Sequence, residues 1–364
     1  MIWIIAVTLA LGVAVVAVVI LNQGEGPPDY QTSLGGKASV EPGEFTEPNG
    51  VCVDSAGNVY VLDTGNSRIE RFKADGELIS LWGEPGSDEN EFNNARRIAR
   101  DSENNIWVAD TDNHRVQWFN SQGQWLGEFG SLGMDAGQFS HPMGMAFDSR
   151  GNLYVADSGN SRVQKIGPAQ NVLQIFPNEP AESNGVGLFN RPQGVAVDPL
   201  DNIFVADTGN HRIQRFTAEG TFLSSFGTFG KGPGQFDTPV DVLVDKDQKV
   251  YVVDAGNNRI QKFTAQGQYL YEWGTTGMAA KMFRNPQQIA EAPDGTLYIA
   301  DAGNHRIQKY TPRSPYLLDP GAPIVGPTRP VAPRPGPDLP PPTEAETPLA
   351  PVGNPSGEST PMEF

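Results

Sequence analysis

One six-residue phrase recurs six times along the chain: Asp63-Thr-Gly-Asn-Ser-Arg68, Asp110-Thr-Asp-Asn-His-Arg115, Asp157-Ser-Gly-Asn-Ser-Arg162, Asp207-Thr-Gly-Asn-His-Arg212, Asp254-Ala-Gly-Asn-Asn-Arg259 and Asp301-Ala-Gly-Asn-His-Arg306. Successive aspartates are 47, 47, 50, 47 and 47 residues apart. A fixed period of this length means one supersecondary unit copied along the chain. Such a unit cannot bury its own faces, so its neighbours must stack on it.

A single copy shows what the unit is. Between Pro192 and Gly227 lie four β-rich runs, Val195–Val197, Ile203–Ala206, Arg212–Phe216 and Phe222–Phe226, each bounded by Gly, Asn, Asp or Pro. Short apolar runs punctuated by tight-turn residues read as antiparallel strands. The first two runs are almost continuously apolar and belong to strands buried on both faces. No stretch within the repeats has the apolar spacing of a long helix. Six units of four strands, with the inner strands most apolar, predict an all-β, six-bladed β-propeller. Five repeats end in a fourth strand, and the sixth stops after Tyr310. The missing strand is Tyr30–Gly35, which precedes the first repeat and is expected to complete the last blade and latch the ring. Full closure leaves no sheet edge to aggregate, and the propeller is expected to be monomeric.

Composition divides the chain into an N-terminal anchor (1–23), the propeller (24–311) and a disordered tail (312–364). Residues 2–21 carry no charge, enough for one helix across a bilayer, and no small-x-small cleavage site follows. The expectation is a single-pass transmembrane signal anchor with the propeller on the extracytoplasmic side. The tail holds 16 of the 31 prolines and no lysine, a composition that cannot bury a core. The net charge is −17, which disfavours nucleic acid as a partner because such binding rests on Lys and Arg displacing counterions. The one cysteine, Cys52, stands where other repeats have Ala or Leu and reads as a small core side chain.

The phrase Asp-Thr-Gly-Asn-His-Arg-Ile-Gln, preceded by Gly-Asn-x-Tyr-Val and by Gln-Phe-x-x-Pro-x-Gly, resembles the NHL repeat family over residues 30–311. The resemblance implies a six-bladed propeller but no single function. Proteins sharing the fold include sensor domains of bacterial kinases, RNA-binding regulators and a peptide-amidating lyase. That lyase family places metal-binding histidines directly after the blade proline, where this chain has Asn49, Met143, Gln193, Val240 and Gln287, so its activity is not implied here.

A group present in every repeat reads as architecture. The six Asp and six Arg of the phrase are assigned to the turn, Asp accepting backbone N–H bonds and Arg pairing with carboxylate or carbonyls. His114, His211 and His305 fall on alternate repeats, but ligands of one metal must converge, and this turn lies away from the axis. No metal site and no cofactor are expected. Function is sought where repetition fails, at the segment opening each inner strand. Arg96, Arg97, Arg100, Gln193, Asp241, Gln287 and Glu291 are the candidate ligand-binding residues of a channel mouth suited to a small polar or anionic molecule. Without a visible catalytic constellation, the expected function is a membrane-tethered binding or scaffold module for a protein, peptide or glycan. The alternative is a metal-assisted lyase or hydrolase working at the same mouth.

Overall fold

The computed structural model describes residues 26–177 and 187–312, together with a two-residue antiparallel pairing of Val7–Thr8 with Ala14–Val15. Each repeat forms one four-stranded antiparallel meander. Blade 1 is Pro48–Val53, Val59–Asp63, Arg68–Phe72 and Leu78–Trp82; blade 2 is Arg97–Arg100, Ile106–Asp110, Arg115–Phe119 and Trp125–Phe129. Blade 3 is Pro142–Phe147, Leu153–Asp157, Arg162–Ile166 and Val172–Phe176; blade 4 is Val195–Val197, Ile203–Asp207, Arg212–Phe216 and Phe222–Phe226. Blade 5 is Pro239–Val244, Lys249–Asp254, Arg259–Thr264 and Tyr269–Trp273. Blade 6 takes Pro286–Glu291, Leu297–Asp301 and Arg306–Thr311 from the last repeat and its outer strand, Asp29–Gly35, from the start of the propeller. The latch is therefore present: Leu34 stands opposite Ile307, and Tyr30 packs edge-on against Tyr310 at 5.6 Å between ring centres.

Each inner strand packs on the inner strands of both neighbouring blades, so the six surround one axis. The core lies between blades. Tyr60, Ile69 and Trp82 of blade 1 pack against Phe92, Ile98 and Phe119 of blade 2, and equivalent layers recur around the ring.

The six-fold phrase forms a 3₁₀ turn whose last residue adopts the left-handed region, with φ of 53° at Ser67 and 55° at His114. Its aspartate is a fully buried hub. In blade 1, Asp63 Oδ1 accepts the Thr46 N–H at 2.7 Å, and Oδ2 accepts from Asn66 Nδ2 at 2.7 Å and Arg68 Nε at 3.0 Å. Arg68 then donates to the carbonyls of Val40, Glu41 and Glu44. The assignment of Asp and Arg to architecture holds, with one refinement: the backbone N–H comes from the loop before the blade, not from the turn itself.

The repeat histidines tie each blade to the next. Nδ1 of His114, His211 and His305 accepts the N–H of His141, Thr238 and Glu47 at 3.1, 3.4 and 3.1 Å. They sit at three separate blade junctions and do not converge.

The expected anchor, residues 1–23, and the expected tail beyond Pro312 fall outside the described residues, the Val7–Thr8 and Ala14–Val15 pairing apart. Among the described residues no helix is long and apolar enough to cross a membrane.

Candidate functional site

The inner strands enclose a cavity of about 430 Å³ along the axis. Its two ends are built from different registers of the same six strands, and the candidate residues divide between them.

The end nearest the blade prolines is plugged. Equivalent positions there are Gly50, Arg97, Gly144, Gly194, Asp241 and Gln288, three glycines and three long polar residues. Arg97 reaches from blade 2 across the axis to blade 5, where Nη2 donates to the Val240 carbonyl at 3.0 Å. Asp241 accepts the Ile289 N–H of blade 6 at 3.0 Å. Gln288 crosses to blades 1 and 2, donating to the Ile98 carbonyl at 2.8 Å and accepting from the N–H groups of Val51 and Ile98. The glycines make this possible. A Cβ on Gly194 would stand 2.6 Å from Asp241 Cα, and one on Gly50 would stand 2.9 Å from Ile98 Cγ2 and 3.1 Å from Gln288 Oε1.

Burial controls the charge state of the plug. Asp241 is raised to about 6 by desolvation, against the pull of Arg97 and of the Ile289 and Val242 N–H groups. Desolvation lowers Arg97, with Asp241 opposing. Arg97 Nε is buried without a hydrogen-bond partner. The two opposite charges attract within the plug without an ion-pair contact among the described residues, and removing either leaves the other buried without its compensating charge. Arg97 and Asp241, expected at a ligand-binding mouth, therefore form the floor of the cavity. Gln287, also buried, donates to Asn285 Oδ1 at 2.8 Å. Gln193 contributes its carbonyl to Gly144 N–H at 2.6 Å, and the Arg96 carbonyl accepts from Arg97 Nη1 at 3.0 Å.

The other end carries Val53, Arg100, Phe147, Val197, Val244 and Glu291 at equivalent positions. Here the two charged candidates line the cavity, one blade apart on either side of blade 1. Arg100 donates to the Asp101 carbonyl at 3.3 Å and makes no ion pair with a carboxylate among the described residues. Glu291 is raised to about 7, first by burial and then by the Asp245 carboxylate, with Lys246 and Lys262 pulling the other way. A carboxyl that changes charge near neutrality is what acid–base catalysis requires. Cys52 also lines the cavity, but burial raises its thiol pKa far above neutrality, so it stays protonated.

Among the described residues no three His, Cys, Asp or Glu side chains gather so as to hold a metal. The metal that the enzymatic alternative invoked has no such ligand set among the described residues.

Gln288 stands beside the candidate Gln287 in the same segment but outside the candidate set, although the column Gly-Arg-Gly-Gly-Asp-Gln marks it. Three glycines beside three long polar residues in one register mark a place where side chains cross an axis.

NHL repeats match at residues 45–72, 92–119, 139–166, 189–216, 236–263 and 283–310, one per blade. The chain is an NHL-repeat β-propeller. Among solved structures, this NHL propeller is similar to virginiamycin B lyase from Staphylococcus aureus (TM-score 0.51, 16% identity, 73% of this chain and 95% of that one). It is also similar to XC5397 from Xanthomonas campestris, titled a gluconolactonase (TM-score 0.56, 13% identity, 80% and 99%). A third likeness is a Bacteroides thetaiotaomicron protein (TM-score 0.58, 18% identity, 78% and 73%). At these identities the likeness is one of fold. No curated protein matches in sequence.

These structures correct the expectation of a non-catalytic binding or scaffold module. That expectation rested on a missing catalytic motif, yet lyases and a gluconolactonase are built on this fold. On a ring, reacting groups come from separate blades, so no local motif need announce them.

Proposed function

We propose that this NHL propeller is a hydrolase or lyase acting in the open end of its central cavity, with Glu291 as the general acid–base group and Arg100 as the electrostatic partner. The observation that carries the reading is the lip of the cavity. It holds a carboxyl raised to about 7 and an arginine without a carboxylate partner, where three sister blades present valine and one phenylalanine. Glu291 takes a proton from an attacking water, or from a carbon beside a carbonyl, and returns it to the leaving group. The Arg100 guanidinium stabilises the negative charge that develops on the carbonyl oxygen. Arg97 and Gln288 cross the axis at the other end, so in this reading a substrate enters and leaves past Glu291 and Arg100.

The test is turnover of gluconolactone and virginiamycin B, the compounds named for enzymes of like fold, by the full chain and by E291Q and R100M. Loss of a general acid–base group costs about 10²–10⁴ in rate. E291Q should show that loss together with loss of the inflection near pH 7 in kcat/KM. E291Q turning over at the wild-type rate would sink the proposal, as would absence of turnover on both compounds and on a wider ester and lactone panel.

The uncharged run 2–21 supports a membrane-tethered enzyme with its propeller outside the cytoplasm. Protease treatment of intact cells should then cleave the propeller, and full protection would overturn this placement.

A further inference from the structure

A second cavity, of about 670 Å³, opens between blades 2 and 3 on the side of the lip. It exists where one row of residues departs from its repeat. Across each blade, the second-strand aromatic faces a third-strand residue in register: Tyr60 with Arg71, Trp107 with Trp118, Tyr154 with Lys165, Phe204 with Arg215, Tyr251 with Lys262 and Tyr298 with Lys309. In five blades this pair is a cation over a ring, at 4.8 to 5.6 Å from the ring centre. In four of those, the same cation lies 3.3 to 4.0 Å from the aspartate that opens the inner hairpin: Asp54, Asp148, Asp198 or Asp245. In blade 6 the aspartate is replaced by Ala292, and Lys309 donates to the Ala74 carbonyl of the next blade at 2.9 Å.

Blade 2 keeps the carboxylate and loses the cation. Asp101 accepts from Trp107 Nε1 at 2.9 Å. Among the described residues no Lys or Arg nitrogen lies within ion-pairing distance of it. Trp118 stacks on Trp107 at 4.5 Å with 15° between planes. Gly127 makes room for this, since a Cβ there would stand 2.5 Å from the Trp118 ring. Phe147 of blade 3 meets Trp107 edge-on at 5.4 Å. Trp118 thus fills the space over the ring that the cation takes in the other blades, while the gap between Asp101 and the turn at Gly167 and Pro168 of blade 3 stays open. Its walls include Asp101, Glu103, the two tryptophans, Phe147 and Pro168, with Arg150 among the lining residues. In the next blade, Lys165 Nζ spans the matching gap to the Ala218 carbonyl at 3.3 Å. Pro168 holds the corresponding turn position here.

We infer that this groove binds the ammonium or guanidinium group of an organic cation with an apolar body, which supplies the positive charge that the other five blades carry in their own chain. The charged group pairs with the Asp101 carboxylate and the ligand body packs on the tryptophan pair and Phe147. Aromatic faces attract cations, and a carboxylate that no Lys or Arg pairs among the described residues supplies the rest. This binding does not depend on the catalytic reading of the lip.

Isothermal titration of the full chain in detergent with phenethylammonium chloride tests the inference, with phenethyl alcohol as the neutral isostere and cellobiose as a stacking sugar. W118K restores the cation of the repeat, so it should bind phenethylammonium at least tenfold more weakly without a lower melting temperature. D101N should weaken binding similarly while leaving the alcohol unaffected. The alcohol should bind the wild type at least tenfold more weakly than the ammonium. Equal binding of ammonium and alcohol would overturn the inference, as would unchanged binding in W118K and D101N, or binding of cellobiose without phenethylammonium.

Discussion

The raised Glu291 makes a prediction about stability that needs no substrate. A carboxyl held at about 7 against an ordinary value of 4.5 binds its proton more tightly in the folded chain than in the unfolded one. Between those values the native state carries more protons, so unfolding free energy falls as pH rises. The contribution is full below about pH 4.5 and is lost as pH climbs through 7. At about 1.36 kcal/mol per pKa unit, the whole shift would amount to roughly 3 kcal/mol. Glu291 is only partly buried, and solvent in the cavity screens it, which reduces the expected effect to about 1–2 kcal/mol. E291Q cannot titrate. Relative to wild type, it should therefore gain about 1–2 kcal/mol between pH 5 and pH 8, whatever its absolute offset. Asp241, also raised, titrates in both proteins and cancels in the difference. Urea unfolding of wild type and E291Q at pH 5, 6, 7 and 8 reads this directly. A difference that stays flat across the series would refute a buried, raised carboxyl at the lip and remove the physical basis for its acid–base role.

Three further outcomes follow from the ring. Because Arg97 and Asp241 attract each other within a buried plug, R97M removes the charge that compensates Asp241 and the bond to the Val240 carbonyl, and should cost about 1–3 kcal/mol; R97M/D241N should cost clearly less than the sum of the single changes, and strict additivity would show that the two are uncoupled. Gly194→Ala drives a Cβ against the Asp241 backbone and should destabilise by about 1–3 kcal/mol, whereas an unchanged melting temperature would show that the floor is loose. Deleting residues 26–36 removes the outer strand of blade 6 and uncovers Ile307 and Tyr310. The ring should then lose cooperative thermal unfolding, and a single unaltered transition would refute the latch.

How much of this was legible in the sequence follows from how a repeat protein stores information. The blade strands, the latch and the role of the six aspartates could be read because each is stated several times. Val195–Val197 and Phe222–Phe226 appear in the structure with the bounds their punctuation predicts. A singular residue has no such redundancy. The sequence showed that Arg97, Arg100, Asp241 and Glu291 break their columns, but not that Arg97 and Asp241 turn inward to close the axis while Arg100 and Glu291 stand at the other end. Three residues along one strand separate Arg97 from Arg100, about 10 Å at 3.3 Å per residue, which is the difference between floor and lip. The inward turn of the plug also depended on Gly50, Gly144 and Gly194 in other blades, a condition no single repeat contains.

The same logic explains why the tryptophan groove is not legible from the inner strands. Trp107, Trp118 and Gly127 lie on three successive strands of one blade, and each alone is an unremarkable substitution of one residue for another. Only the register joins them. Trp118 stands at the cation's register position, Gly127 gives its ring room, and Asp101 is left without a Lys or Arg partner among the described residues. Blade 6, which drops the aspartate, sends Lys309 to the Ala74 carbonyl instead, whereas blade 2, which keeps the carboxylate and drops the cation, leaves a defined chemical vacancy. The ion pairs of blades 1, 3, 4 and 5 state what fills it. The repeat thus serves as an internal control for its own exception, and the exception specifies a positive charge on a ligand rather than merely a cavity.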